Sequence, residues 1–325
     1  MNTKAQSPSK SLKEHLQDLP SIYISLFVLF ILVLILYIGN PSFLSVYNLK
    51  TVANSTTVLL GVGLGQAFVI LTGGIDLSVG GVMSLISVVY ILGLAKFGLL
   101  AFPLVLIVSA LAGLLNGFIL TRFRIPSFVT TLGTGGIFVS LTYLLSAAPL
   151  TPPSSSYKYL DIINGSMAGI KNGWILAIIV FAVYFILQNY TYLGRSIYAI
   201  GSNEKMCWMS GIAVKRTKML AFMFSGLGAG ISGMVLASNL YSGYPSLGEV
   251  YILESIAVVV VGGTALTGGA GGALNTLIGA LIMSVIKNGM MVVGIDVYAQ
   301  QTFLGVLIVI AVALTFDRSK LIIIK

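Results

Sequence analysis

Ten apolar stretches, most of them close to the ~20 residues that carry a helix across a bilayer, constrain this chain more than any motif in it. They fall at 22–39, 55–72, 77–95, 99–120, 127–147, 173–188, 219–240, 250–266, 272–292 and 302–316. Little charge lies between them: 8% of the 325 residues are Asp, Glu, Lys or Arg, against about 25% in a soluble domain. So few charges cannot cover a water-facing surface, which excludes a soluble enzyme and a nucleic-acid-binding domain. The expected fold is all-α: a polytopic integral membrane protein of about ten transmembrane helices. The 37 glycines and the 10% of aromatic residues suit closely packed spans with rings at the interfaces. The first stretch is long and has no small-residue cleavage site, so it reads as a span rather than a removable leader.

Charge sets the orientation. With the N-terminus inside, thirteen of the 18 Lys and Arg residues fall on the side of both termini, and five (Lys50, Lys96, Lys158, Lys171 and Lys287) on the other. That bias follows the positive-inside rule and gives two cytoplasmic termini. The net charge of +9 is then a signal of orientation and lipid-headgroup contact, with no nucleic acid implied. The chain divides into a cytoplasmic tail at 1–20, a transmembrane domain at 21–318 with an internal loop at about 189–218, and a second cytoplasmic tail at 319–325. An external loop at about 149–172 opens with Pro152-Pro153 and three serines, which point to irregular, exposed backbone. The eighth stretch is the weakest. It runs into Gly262-Gly263-Thr264 and then Gly268-Gly269, and reads as a broken or partial helix, tolerated where protein or water satisfies its backbone.

Little in the chain supports catalysis. One cysteine, Cys207, and one histidine, His15, allow neither an internal disulfide nor a paired metal site. No Gly-Lys pair occurs, so the phosphate loop G-x-x-x-x-G-K-[ST] is absent. Of the nine acids, only Asp76 and Glu254 lie near predicted spans rather than in tails, loops or short turns, which leaves no embedded acidic chain for a proton relay. Asp76 precedes the third span and is placed to cap its first amides, with a direct role in passage as the alternative. Gly228-Ala-Gly230-Ile-Ser-Gly233 spells G-x-G-x-x-G, but inside an apolar span it reads as close helix packing. Gly61/Gly65, Gly113/Gly117 and Gly226/Gly230 share that small-residue spacing. Asn54, Gln66, Asn116, Asn239 and Asn275 either bond between helices or line a polar path for a hydroxyl-rich solute. Leu71-Thr72-Gly73-Gly74 recurs as Leu266-Thr267-Gly268-Gly269, a repeat short enough to arise by chance in a glycine-rich chain.

The internal loop is more specific. Ser202 or Asn203 can cap a short helix in which Glu204 favours the first turn, and Gly211 suits the position just past its end. Met206, Trp208 and Met209 give that helix an apolar side. Composition leaves it equally able to lie on the membrane or to insert into a partner's groove.

Three blocks, in order along about 40–318, carry a resemblance. Leu71 to Gly80 (Leu-Thr-Gly-Gly-Ile-Asp-Leu-Ser-Val-Gly), Gly194 to Glu204 with Ser210-Gly211-Ile212, and Glu254 to Thr264 with Gly268-Gly269 resemble the permease subunits of bacterial ABC sugar importers. The branch is the one for ribose, xylose, arabinose and galactosides. The resemblance implies a transport subunit without catalysis, passing a monosaccharide inward between two permease subunits, identical or paralogous. Cytosolic ATPase subunits would bind ATP and Mg, and an external sugar-binding protein would deliver the substrate. This chain itself would hold no cofactor. It also implies that Gly201, Asn203, Glu204, Gly211 and Ile212 form the ATPase-coupling segment, and that Gly73, Gly74, Asp76, Ser78, Gly80, Glu254, Gly262 and Gly263 are family-motif positions. Lys205 and Met206 replace the small residues usual after that glutamate, and Glu254 stands where Asp is common. Gln66, Phe68 and Asn116 are the expected path-lining residues. An autoinducer-2 or nucleoside permease is the alternative within the family, and an ion-coupled secondary carrier the alternative outside it.

Overall fold

A computed structural model describes residues 21–296 and, beyond them, 299, 300, 302, 303, 305, 306 and 309. The expected tails at 1–20 and 319–325 lie outside the described residues, as does most of the tenth expected span. The helices are α1 (Ser21–Gly39), α2 (Val46–Leu71), α3 (Val79–Phe97), α4 (Ala101–Phe123), α5 (Ser127–Leu145), α6 (Tyr157–Asn164), α7 (Asn172–Tyr190), α8 (Tyr192–Met209), α9 (Val214–Leu240), α10 (Tyr251–Val261) and α11 (Ala273–Val292). A two-residue hairpin, β1 (Ser166–Met167) and β2 (Ile170–Lys171), precedes α7. Seven apolar segments among the described residues have the length and composition to cross a membrane, and one of them, Val79–Phe123, holds both α3 and α4.

The bundle is organised by α2 and α9. From Thr56 to Leu71 every residue of α2 is buried, so its apolar character on all sides reflects enclosure by other helices. Against it and against α3 and α4 packs α9, by contacts that only small residues allow. A Cβ on Gly113 would overlap Phe222 O, and one on Gly228 would stand 2.5 Å from Gly61 O. All three small-residue pairs read from the sequence, and the 228–233 glycines with them, lie at this one helix junction. By contrast α1 turns most of its apolar surface outward, as a lipid-facing helix does; Phe27, Phe30 and Ile38 are all exposed.

Three regions differ from the sequence reading. First, α2 begins at Val46, nine residues ahead of the expected span. Ser45 accepts from Asn48 N at 3.3 Å and caps a first turn whose polar residues hid it from hydropathy. Second, the 149–172 loop is not irregular throughout. Within it α6 buries Leu160 and Ile163, and Asn164 Nδ2 donates to Ser238 O at 2.6 Å. Third, the eighth span is indeed broken, but its missing part lies ahead of the helix as well as behind it. After α9 the chain turns back along α3: Gly243 pairs with Leu150, Gly248 N donates to Ser84 Oγ at 2.9 Å, and only then does α10 start. Its 11 residues give about 16 Å of helix, roughly half a bilayer's hydrocarbon. The glycine-rich loop 262–272 then leads to α11.

Candidate functional site

The three sequence blocks converge where α2 ends and α8 runs, an end of the bundle called here the α8 end. Gly201 is the contact point. A Cβ on it would overlap both Leu71 O and Gly269 N, so only glycine lets α8 approach this closely. The two loops also bond directly, Gly269 N donating to Leu71 O at 3.0 Å. The two Leu-Thr-Gly-Gly segments therefore meet in space, with the base of the expected coupling segment wedged against both.

Side chains fix the first loop, 72–78. Asp76 Oδ1 accepts from Ser78 N at 2.9 Å and from Ser78 Oγ at 2.6 Å. This closes a local turn around the residue that precedes α3 instead of capping amides inside the helix, because the carboxylate reaches only two residues forward. Asn116 Nδ2 donates to Ser78 Oγ at 2.7 Å, and Thr134 Oγ1 donates to Asn116 Oδ1 at 2.5 Å. With its amide oriented to satisfy both groups, Gln66 donates to Asp76 O at 3.1 Å and accepts from Asp76 N at 3.2 Å. Ser127 Oγ and Thr131 Oγ1 take the N–H groups of Ile75 and Leu77. Gly74 packs beside Val69, and a Cβ on Gly80 would stand 2.8 Å from Gly248 O. Asp76, Gln66 and Asn116 are all fully buried. Phe68, also fully buried, packs its ring against Tyr184 and Phe224. None of the three expected path residues faces open space in this conformation.

The second loop is held differently. Gly263, Gly268, Gly269, Gly271 and Gly272 all have positive φ, so its course depends on backbone freedom that only glycine has without strain. Gly262 leaves no room for a Cβ beside Asn275 O, and Asn275 Nδ2 donates to Gly262 O at 2.9 Å. Thr264 Oγ1 accepts from Gly272 N at 3.0 Å, and Gln188 Oε1 accepts from Ala273 N at 2.8 Å, capping α11. Gln188 Nε2 donates to the Tyr198 hydroxyl, which donates to Gly271 O at 2.6 Å. Burial raises the Tyr198 phenol above its usual range and keeps it a neutral donor. Gln188, Tyr198 and Thr264 escaped the sequence reading: the first two lie 10 residues apart with no motif spacing, and nothing local announces contact across the bundle.

Beyond Gly201 the α8 helix kinks. Asn203 leaves helical geometry (φ −161°, ψ 95°), and its Oδ1 accepts from Met206 N at 3.0 Å, capping a second short segment. At the other end Gly211 takes φ +81°, while Gly211 N donates to Trp208 O (3.2 Å) and Ile212 N donates to Cys207 O (3.0 Å). That bond pair is the Schellman arrangement, which ends a helix by closing its last carbonyls. Cys207 packs inward with Ile200 and Val214, while Met206, Trp208 and Met209 stand out exposed, Trp208 at 74%. Glu204 Oε2 receives Lys218 Nζ at 2.7 Å, tying the segment to α9. A cleft of about 830 Å³ lies beside it, lined among others by Gly73, Arg124, Lys205, Trp208 and Lys215.

Glu254 lies in the first turn of α10, near the span end expected for it. The fourth residue of α10, it is buried and receives Lys287 Nζ on both oxygens at 2.8 and 3.0 Å. Lys287 belongs to α11, within the expected 272–292 span, and its partner on α10 explains how a lysine is carried inside that apolar run.

A polytopic helical bundle with this junction has the character of a membrane permease. The family model for the permease component of the branched-chain amino acid transport system matches residues 48–312, and the chain belongs to this family. Relatives include the ribose import permease protein RbsC of Bacillus subtilis (strain 168), 38% identical over 296 residues, 90% of this chain and 91% of that protein. RbsC of Escherichia coli (strain K12) is 34% identical over 89% of this chain and 91% of that one. The D-allose transport system permease protein AlsC of the same strain is 33% identical over 92% of each. No solved structure matches the chain.

Proposed function

We propose that this chain is the permease subunit of an ATP-binding-cassette importer that passes a monosaccharide into the cytoplasm of a bacterial cell. The observation that carries the reading is the match, along nine-tenths of both chains, to permeases named for ribose, supported by the one named for D-allose. The family description names branched-chain amino acids, so the substrate class is the point to test. In this reading the α8 end is cytoplasmic, both tails lie there, and 302–316 completes ten spans. Energy comes from separate ATPase subunits that bind ATP and Mg, and an external binding protein delivers the sugar to a pair of permease subunits. The segment with Asn203, Glu204, Gly211 and Ile212 seats in the ATPase, with exposed Trp208, Met206 and Met209 as its contact surface. Gly201 passes the movement to both loops. Gln66, Phe68 and Asn116 act on the passage from behind its wall, by holding the 72–78 loop and the ring cluster beside it. The test is uptake of labelled D-ribose, D-allose and L-leucine by cells carrying the complete system. Uptake of a sugar in preference to leucine is expected; leucine uptake alone would overturn the substrate class.

A further inference from the structure

Two independent observations single out one face of the bundle. The first is the Glu254–Lys287 pair. The Glu254 side chain is 3% exposed, yet its partner Lys287 is 30% exposed and lies five residues inside the end of α11. Its ammonium stands 5.6 Å from the centre of the Tyr251 ring. Lysines and glutamates within membrane helices face the protein interior or water, and not hydrocarbon. By contrast α1, α5 and α7, whose exposed faces are apolar, carry no Asp, Glu, Lys or Arg.

The second observation is the backbone. The turns at 241–250 run back along the spanning helix α3, where Gly248 N donates to Ser84 Oγ, before α10 begins, while the loop 262–272 at its other end reaches the α8 end. Non-helical backbone at membrane depth persists where it is enclosed by protein or lines a water-filled cavity. Here α2 and α3 enclose one side of α10. The other side, with Val250 and Leu253, is uncovered.

We propose that the face of α10 and α11 carrying Leu253 and Lys287 is a wall of the water-filled passage, and that Lys287, held and neutralised by the buried Glu254, is its specificity-determining contact with a neutral, polyhydroxylated solute. This rests on the reading of the chain as a sugar permease. The chemistry fits that class. The partly exposed Lys287 ammonium offers hydrogen-bond donors to hydroxyl oxygens, while the buried Glu254 beneath it cancels its charge and fixes its position. It also explains how a chain whose Gln66 and Asn116 are fully engaged still presents polar groups to its cargo.

The test uses the complete importer in membranes, in a Cys207→Ser background. Leu253→Cys and, as a lipid-facing control, Ile107→Cys (58% exposed on α4) are treated with a charged, membrane-impermeant thiol reagent. Because a thiol reacts as its thiolate, which forms in water, Leu253→Cys is expected to label about tenfold faster or more. Labelling as slow as that of Ile107→Cys would mean lipid and would overturn the proposal. So would a disulfide formed between copies at position 253 without labelling, which would mean direct contact. Labelling is read without transport, so failure of sugar uptake would refute the functional reading while leaving this arm intact. For specificity, Glu254→Gln with Lys287→Met keeps the volumes and removes the charges. The ratio of D-ribose to D-allose uptake is expected to change several-fold and to stay unaltered in Lys287→Arg, which keeps the pair. An unchanged ratio in the double variant would remove the pair from specificity.

Discussion

The two Leu-Thr-Gly-Gly segments, 71–74 and 266–269, share a sequence, meet at Gly201 and are held by opposite means. After the first, the loop is pinned by side chains: Gln66, Ser127 and Thr131 satisfy its backbone, and Asp76, Ser78, Asn116 and Thr134 form a bonded chain behind it. Around the second, five glycines between 263 and 272 adopt positive φ, and side chains from outside the loop reach it near its ends, Asn275 at Gly262 and Tyr198 at Gly271. A loop fixed by buried side-chain bonds depends on those side chains, whereas one built from glycine depends on backbone conformations that a Cβ would strain. A shared tetrapeptide therefore marks a shared position against Gly201 of α8, and its neighbours decide what holds each loop there.

The most severe way to break the comparison is Gly201→Val. The new side chain has no room against Leu71 O and Gly269 N, so both loops must shift together. ATP-driven uptake should fall by about tenfold or more while the protein still inserts, as read by labelled-sugar uptake beside membrane yield. Gly268→Ala comes next. Its φ of +87° costs about 1–2 kcal/mol for a residue with a Cβ. A clash adds to that strain, since the Cβ would stand 2.8 Å from Gly73 N and 2.9 Å from Gly201 Cα. Gly73→Ala, at φ +79°, carries the strain, but its nearest neighbour is Thr267 O at 3.4 Å. Thermal melting in detergent should place Gly268→Ala clearly below Gly73→Ala, and equal melting would dissolve the asymmetry between the loops.

What the sequence made legible follows a physical line. Helices wholly in lipid or wholly enclosed were visible because apolar length alone decides them, and the caps at Asn203 and Gly211 because capping chemistry is local. Hidden were features made by contact over distance. The turn of 241–250 along α3 has no apolar period, the pairing of Lys287 with Glu254 joins two helices, and Gln188 becomes a cap only when α7 lies beside α11. The tetrapeptide repeat was visible, but its meaning lies in a bond between residues almost 200 positions apart.

Smaller effects sharpen the same contrast. Gln66→Ala removes both bonds to the Asp76 backbone in a buried site and should cost about 1–3 kcal/mol. Uptake should fall modestly, and the preferred sugar should not change. Asn203→Ala loses one cap, at about 1 kcal/mol, so a larger loss of sugar-stimulated ATP hydrolysis would locate its importance at the partner interface.

The most direct test of the central claim, that ATPase subunits acting through 203–212 drive both loops, is the energy source. Labelled D-ribose uptake would be measured in proteoliposomes holding the complete importer, with ionophores collapsing all ion gradients and with ATP supplied or withheld. Uptake that persists with ATP, stops without it and is lost in Gly201→Val is the expected result. Uptake that follows an imposed ion gradient in the absence of ATP would contradict it.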